Sequence, residues 1–332
     1  VVGGAMGSYI MVGQFQVPVT ADGGWIAFGQ GKSGLVTRAQ DTTTGSFIAL
    51  KIIPVTLREE DRHTVLHQLQ ELYASKHPCV ADFFGADYFS ERTCTLIAME
   101  YFDLASFNDI MCNTGPIPEN VLGFACHEVL EGLTYLHTVR RLIHRDIKPS
   151  NVLLNSRGQV KISDFGMSTQ LANTLDPANT WVGSTTYMSP ERISGLQYVG
   201  NSDIWSLGIS LVELATGNFP YDSGTPGKRL ELVELLDRIV DEEPPRVPPD
   251  SGFSAEFHNF MALCLKKRVE ERPGASALQA HPFIEMHKNP QNVVPWLENV
   301  IRAAAAKTME VLQTQHLGYH PGGVPPGGGV GG

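Results

Sequence analysis

The stretch His144-Arg145-Asp146-Ile147-Lys148-Pro149-Ser150-Asn151, followed by Asp164-Phe165-Gly166, gathers carboxylates, cations and an amide within a short span. These residue types suit phosphoryl transfer, where catalysis consists of positioning and charge neutralisation more than covalent chemistry. Asp146 is placed to accept or orient the proton of an attacking hydroxyl. Lys148 can neutralise charge on the transferred group. Asn151 and Asp164 offer the oxygen ligands that Mg²⁺ takes. Gly166 frees the backbone to turn after the metal ligand. Fixed offsets of this kind, at about 1/20 per specified residue, recur by chance roughly once in ten billion start positions.

Such a cluster needs elements to hold it and a cradle for phosphates. Gly29-Gln30-Gly31-Lys32-Ser33-Gly34-Leu35-Val36 reads G-x-G-x-x-G-x-V. A strand pattern follows at Leu35–Gln40 where a dinucleotide-binding turn has a helix, so the glycines belong to a hairpin that lets backbone amides approach phosphates. Ile48-Ala49-Leu50-Lys51 is a short apolar strand ending in a cation. Residues 58–75 predict a helix, with Val65, Leu66, Leu69, Leu72 and Tyr73 on its apolar face. Ile97–Tyr101 is the next strand. Residues 119–138 predict a helix ending just before the polar loop. Val152–Leu154 and Val160–Ile162 flank a turn at Arg157-Gly158. An apolar helix opens at Asp203, a buried acid expected to cap the backbone of the polar loop. Residues 241–250 read as loop. A further helix spans Pro295–Gln313, with a stripe of Leu297, Ile301, Ala305, Met309 and Leu312. The segment 1–20 carries a β-prone patch at Tyr9–Val19, read as a flanking strand or a flexible lead. The Gly- and Pro-rich tail from Pro321 has no residues for a core, so disorder is expected there.

The chain of 332 residues is long enough for two lobes around a cleft. A net charge of −10 argues against a nucleic-acid surface and against a polybasic membrane anchor. Apolar runs are too short for a membrane span. The start lacks a charged, apolar leader pattern, so no signal peptide is expected. Cys79, Cys94, Cys112, Cys126 and Cys264 show no metal-binding spacing, which suits a reduced, cytoplasmic protein.

With the loop, Lys51 and Ser189-Pro190-Glu191 in place, residues 24–285 resemble a eukaryotic protein kinase. More narrowly, Val182-Gly183-Ser184-Thr185-Thr186-Tyr187-Met188-Ser189-Pro190-Glu191-Arg192, Ser202–Gly208 and Glu213-Leu214-Ala215-Thr216-Gly217 resemble the MAP kinase kinases. The resemblance implies an α+β bilobal fold with a small β-rich N-lobe and a larger helical C-lobe. It divides the chain into a flank (1–23), an N-lobe (24–102), a C-lobe (103–287), a docking helix (288–316) and a tail (317–332). It implies ATP held by Gly29, Gly31, Gly34, Val36, Ala49, Lys51, Met99, Glu100, Tyr101, Leu153 and Asp164. Mg²⁺ falls to Asn151 and Asp164, and catalysis to Asp146, Lys148, Asn151 and Lys51. Met99 stands beside the adenine, Glu100 and Tyr101 offer it backbone hydrogen bonds, and Arg272, in a helical segment, pairs with Glu191. Ser184 bonds Asp146 and Lys148.

The same resemblance implies a dual-specificity enzyme that phosphorylates Thr and Tyr in the activation loop of a MAP kinase. Its own switch is phosphorylation at Thr174 and Thr180, answered by Arg145. Asn292–Leu297 resembles a docking site for an upstream MAP kinase kinase kinase. Two departures stand out: Gln68 occupies the place of the helix Glu that pairs with Lys51, and an N-terminal docking peptide is missing. The other readings are a Ste20-like upstream Ser/Thr kinase and, suggested by Gln68, a nucleotide-binding pseudokinase scaffold.

Overall fold

Strand formation in the first third follows the alternation of apolar and polar residues. The computed structural model describes residues 8–27, 29–31, 34–54, 59–74, 76–164, 185–196, 199–221 and 230–317. β1 (Ser8–Val12) and β2 (Phe15–Val19) form a hairpin, and β2 pairs with β4 (Gly34–Asp41). The β-prone patch is therefore strand, and it joins the main sheet. β3 (Gly29–Gly31) pairs back onto β4, as a glycine-rich hairpin should. β5 (Phe47–Pro54), β6 (Phe83–Phe89) and β7 (Cys94–Glu100) complete an antiparallel sheet in the order β1-β2-β4-β5-β7-β6.

β5 is buried on both faces, so its apolar run is nearly continuous. Ile48, Leu50 and Ile52 enter a cluster with Val12, Val17, Ala39, Leu96 and Ala98. Ile53, Ile97 and Met99 lie in a second cluster with Val65 and Leu69 of α1 (Glu59–Tyr73). Val65 and Leu69 are four apart, which places them on one helix face.

The second lobe is helical. α2 (Phe107–Thr114) starts at a capping box in which Ser106 and Asp109 satisfy each other's backbone amides. α3 (Glu119–Thr134) runs on into a π turn, Tyr135–Val139. The predicted helix 119–138 thus ends in a different winding. The hairpin of β8 (Val152–Leu154) and β9 (Val160–Ile162) falls where the pattern placed it. α4 (Gly200–Thr216) is buried at every residue from Ser202 to Ala215. It is covered on all sides, its buried polar residues Asp203 and Glu213 each hold hydrogen-bond partners, and it is the axis of the lobe. α6 (Ala255–Cys264) packs against it, and α5 (Leu232–Asp241), α7 (Pro282–His287) and α8 (Val294–Leu317) complete the lobe.

Two sequence expectations are corrected. Arg272 follows a short 3₁₀ turn, Val269–Glu271, in extended backbone and not in a helical segment. On α8, Ala305 of the expected stripe is exposed and Val300 is buried, while Leu297 and Ile301 are half-buried, and Met309 and Leu312 have side chains outside the described residues. Trp296, Leu297 and Val300 face inward, after the buried Val293 that precedes the helix. No helix among the described residues is long and apolar enough to cross a membrane. The tail from Pro321 lies outside the described residues.

Candidate active site

Sheet register assembles the first wall. Val36 stands opposite Lys51, and Ala49 opposite Met99. Ala49 and Lys51 are two apart on β5, so all four share one face. Gly34, with φ +132°, passes so close to β5 that a Cβ there would meet the Ile52 carbonyl oxygen at 2.4 Å. Only glycine fits, independently of any phosphate.

Lys51 is buried and bonds Asp164 Oδ2 at 2.9 Å. A buried ammonium is tolerable only with such a partner. Gln68 lies within α1, and its side chain falls outside the described residues.

At the strand end, the Glu100 amide donates to Asp82 O at 2.9 Å, so only the carbonyl of Glu100 is left for a ligand. The Glu100 carboxylate accepts from Lys161 Nζ at 2.7 Å and from the Asp82 amide at 3.1 Å. The pattern reading missed this ion pair. Its signal was a lysine between the buried residues Val160 and Ile162, a position that demands an acidic partner.

The polar loop forms one network. Lys148 Nζ donates to Asp146 Oδ2 at 2.7 Å. Asn151 Nδ2 donates to Asp146 O at 2.7 Å and to Asp146 Oδ2 at 2.9 Å. The amide nitrogen of Asn151 is thus committed, and its oxygen is the end that can ligate a cation. Asp164 adopts a left-handed backbone with φ +62°, which Asp accepts more readily than most residues. Its Oδ1 is buried without a hydrogen-bond partner among the described residues. The Ser163 amide, one residue before Asp164, donates to Asn151 O at 3.0 Å and joins the two segments. A buried carboxylate oxygen and an oriented amide oxygen are a donor set that fits a hard divalent cation. Leu153 is half-buried on β8, next in sequence to the loop.

Arg145 is held at φ +70°. Such backbone costs on the order of 1–3 kcal/mol and persists only when its surroundings fix it. Here both flanking peptide groups are held. Its N–H donates to Asp203 Oδ1 at 2.8 Å, and its carbonyl accepts from Arg192 Nη1 at 3.0 Å. Asp203 Oδ2 also accepts from the His144 amide at 2.9 Å and from His137 Nε2 at 2.8 Å. The expected buried cap is therefore present. Burial alone would raise the Asp203 pKa, but the bond from His137 and the neighbouring donors outweigh it and hold the group ionised. His144 is fully buried, and that burial lowers its pKa, so it stays neutral. Its Nδ1 accepts from the Asp146 amide at 3.3 Å.

Beneath this network, Arg272 grips Glu191 with two bonds of 2.8 and 3.1 Å. Tyr187 donates to Glu213 at 2.6 Å. Burial first, and then the Glu213 charge, raises the Tyr187 pKa. Trp296 stacks on Phe107 with ring centroids 6.2 Å apart. Thr174, Thr180, Ser184, Phe165 and Gly166 lie outside the described residues.

Residues 26–284 match the protein kinase domain. Dual specificity mitogen-activated protein kinase kinase 1 of Dictyostelium discoideum is 35% identical over 82% of the chain. Mitogen-activated protein kinase kinase SIPKK of Nicotiana tabacum is 42% identical over 78% of it. Mitogen-activated protein kinase kinase 2 of Arabidopsis thaliana is 41% identical over 78% of it. The chain spans about half (54%) of the length of the Dictyostelium relative and 72% and 71% of the two plant ones.

Proposed function

The chain belongs to the protein kinase family, within its MAP kinase kinases, and on that premise we propose that it phosphorylates Thr and Tyr in the activation loop of a MAP kinase. ATP is the phosphoryl donor and Mg²⁺ the metal. The observation that carries the reading is the network of Asp146, Lys148 and Asn151 together with the Lys51–Asp164 pair.

In this reading Asp146 orients the substrate hydroxyl and takes its proton, while Lys148 and Asn151 hold its Oδ2 in place. Lys148, already bonded to that carboxylate, turns its charge toward the transferring group. Lys51 grips the α- and β-phosphates from the face it shares with Val36, Ala49 and Met99. Gly29, Gly31 and Gly34 bring backbone close to the phosphates. Met99, the Glu100 carbonyl, Tyr101 and Leu153 border the base. Asn151 and Asp164 are the residues that would hold the metal, which when bound would neutralise phosphate charge.

Activation comes from an upstream MAP kinase kinase kinase through Thr174 and Thr180, with Arg145 answering the phosphates. The segment 290–316 contributes docking through its outward side, since Trp296 and Leu297 pack inward. The enzyme works in the cytoplasm.

The test is incubation with ATP, Mg²⁺ and a panel of kinase-inactive MAP kinases, followed by mapping of the modified residues. Modification of both Thr and Tyr of the activation loop is expected. Lys51→Met and Asp164→Ala should each lower turnover by about 10³-fold or more, an effect comparable to losing an arginine finger. Turnover near wild type in Asp164→Ala rejects the assignment. Labelling of generic proteins in preference to MAP kinases favours the Ste20-like reading.

A further inference from the structure

The π turn Tyr135–Val139 is an irregularity in an otherwise regular helix, and such turns gather at functional places. Here the Arg140 amide donates to Tyr135 O at 3.2 Å, five residues back. The extra residue per turn changes where the following side chains emerge. His137 Nε2 reaches Asp203, which holds the His144 and Arg145 amides of the catalytic loop. Arg140 reaches the other way, into the N-lobe. Its Nη1 donates to Ala74 O at 2.7 Å and its Nη2 to Glu71 O at 3.0 Å.

Those two carbonyls sit at the C-terminal end of α1. The last carbonyls of a helix have no partners within it, and the end carries partial negative charge. α1 has no basic residue in its own last turn. The cation at that end is supplied by the other lobe. The segment after α1 is also seated there. The Ala81 amide donates to Ile162 O, the Ile162 amide to Cys79 O, and His77 stacks on Tyr135 with centroids 4.7 Å apart. At Gly132 a Cβ would meet Cys79 O at 2.9 Å, so α3 lacks a side chain where this segment passes.

We propose that Arg140 is a positioning residue that caps α1 across the lobes and so fixes this helix relative to the catalytic loop. The inference rests on the kinase reading above. α1 spans 15 residues, about 22 Å at 1.5 Å per residue, and its C-terminal end is tied to the second lobe in this way. Its middle carries Gln68, which cannot form an ion pair with Lys51. Val65 and Leu69 pack the helix against the core of its own lobe, and the Arg140 bonds tie its end to the second lobe. Arg suits the task because its planar fork offers two donors to two carbonyls, whereas Lys offers a point charge.

The test compares full-length wild type, Arg140→Ala and Arg140→Lys, each with and without Gln68→Glu. Arg140→Ala should lower kcat about tenfold and leave KM for the MAP kinase within about twofold, with amides of residues 70–74 exchanging about tenfold faster. Arg140→Lys should fall between. Gln68→Glu should restore most of the lost kcat in Arg140→Ala, because an acid beside Lys51 holds the helix from its middle. A role in stability alone would lower the melting temperature without that rescue, and would overturn the proposal. So would unchanged exchange at 70–74, or faster exchange with kcat unchanged. If Arg140→Ala does not fold, Arg140→Lys decides, with the same signs expected. If wild type transfers no phosphate, the kinase reading fails, and exchange at 70–74 still decides whether Arg140 caps α1.

Discussion

Asp203 shows how one side chain sets the geometry of a catalytic loop. It touches no substrate, yet its two oxygens accept from His137 and from the amides of His144 and Arg145. Arg145 keeps its left-handed backbone because its N–H and carbonyl are both held. Asn at this position has one acceptor oxygen and an NH₂ group. One of the loop amides would then face a donor and lose its partner, at a cost of about 1–3 kcal/mol. Asp203→Asn should therefore lower kcat by about tenfold or more, with KM for ATP little changed. Steady-state kinetics on the purified variant check this. A rise in KM at constant kcat would mean that Asp203 serves nucleotide binding instead.

At the scale of elements, the regulation proposed above falls on the segment between Asp164 and Thr185 and on the helix α8, in different ways. On that proposal the hydroxyls of Thr174 and Thr180 are converted by phosphorylation into multiply charged acceptors. Replacing both by Ala should leave activity basal after treatment with the activating kinase. Replacing both by Glu should raise basal activity only partly, since a carboxylate carries less charge and fewer acceptors. Full activation of the Ala form excludes these sites. α8 presents Trp296 to Phe107 and buries Val300. Trp296→Ala should lower stability by about 2 kcal/mol, as half-buried aromatic surface is lost. Removing residues 290–316 should impair activation by the upstream kinase while sparing the activity of enzyme phosphorylated beforehand. Equal loss of both activities, with a lower melting temperature, would make α8 cover for the second lobe and nothing more.

For the whole molecule, acid sensitivity follows from histidines that folding withdraws from water, His144 fully and His77 and His281 in part. Burial lowers the pKa of His144, His77 and His281 from the usual 6.5. The folded state then binds fewer protons than the unfolded state as pH falls below that value. Stability is thus full above pH about 6.5 and declines as pH drops toward each lower folded value. Glu213, whose pKa burial raises, works in the opposite sense as a single group. The melting temperature should fall between pH 7 and pH 5, and less steeply in His144→Leu. A melting temperature that rises over this range contradicts the assignment.

The chemistry was legible in the order of residues because catalytic loops depend on local spacing. Asp146, Lys148 and Asn151 lie within one turn of backbone, and any fold that presents that turn presents them together. Asp203 as a buried cap and Glu191 as the partner of Arg272 were also legible, the first from an acid ahead of an apolar run and the second from the family resemblance. What remained hidden were contacts between residues far apart in the chain. Lys161 with Glu100 and Arg140 with the end of α1 depend on how the lobes meet, and no period in the sequence encodes that meeting. The inward face of α8 depended likewise on which surface it met: the core of the second lobe, with Phe107 against Trp296, buries Val300 and leaves Ala305 exposed, because burial is decided by the partner surface and periodicity only narrows the choice.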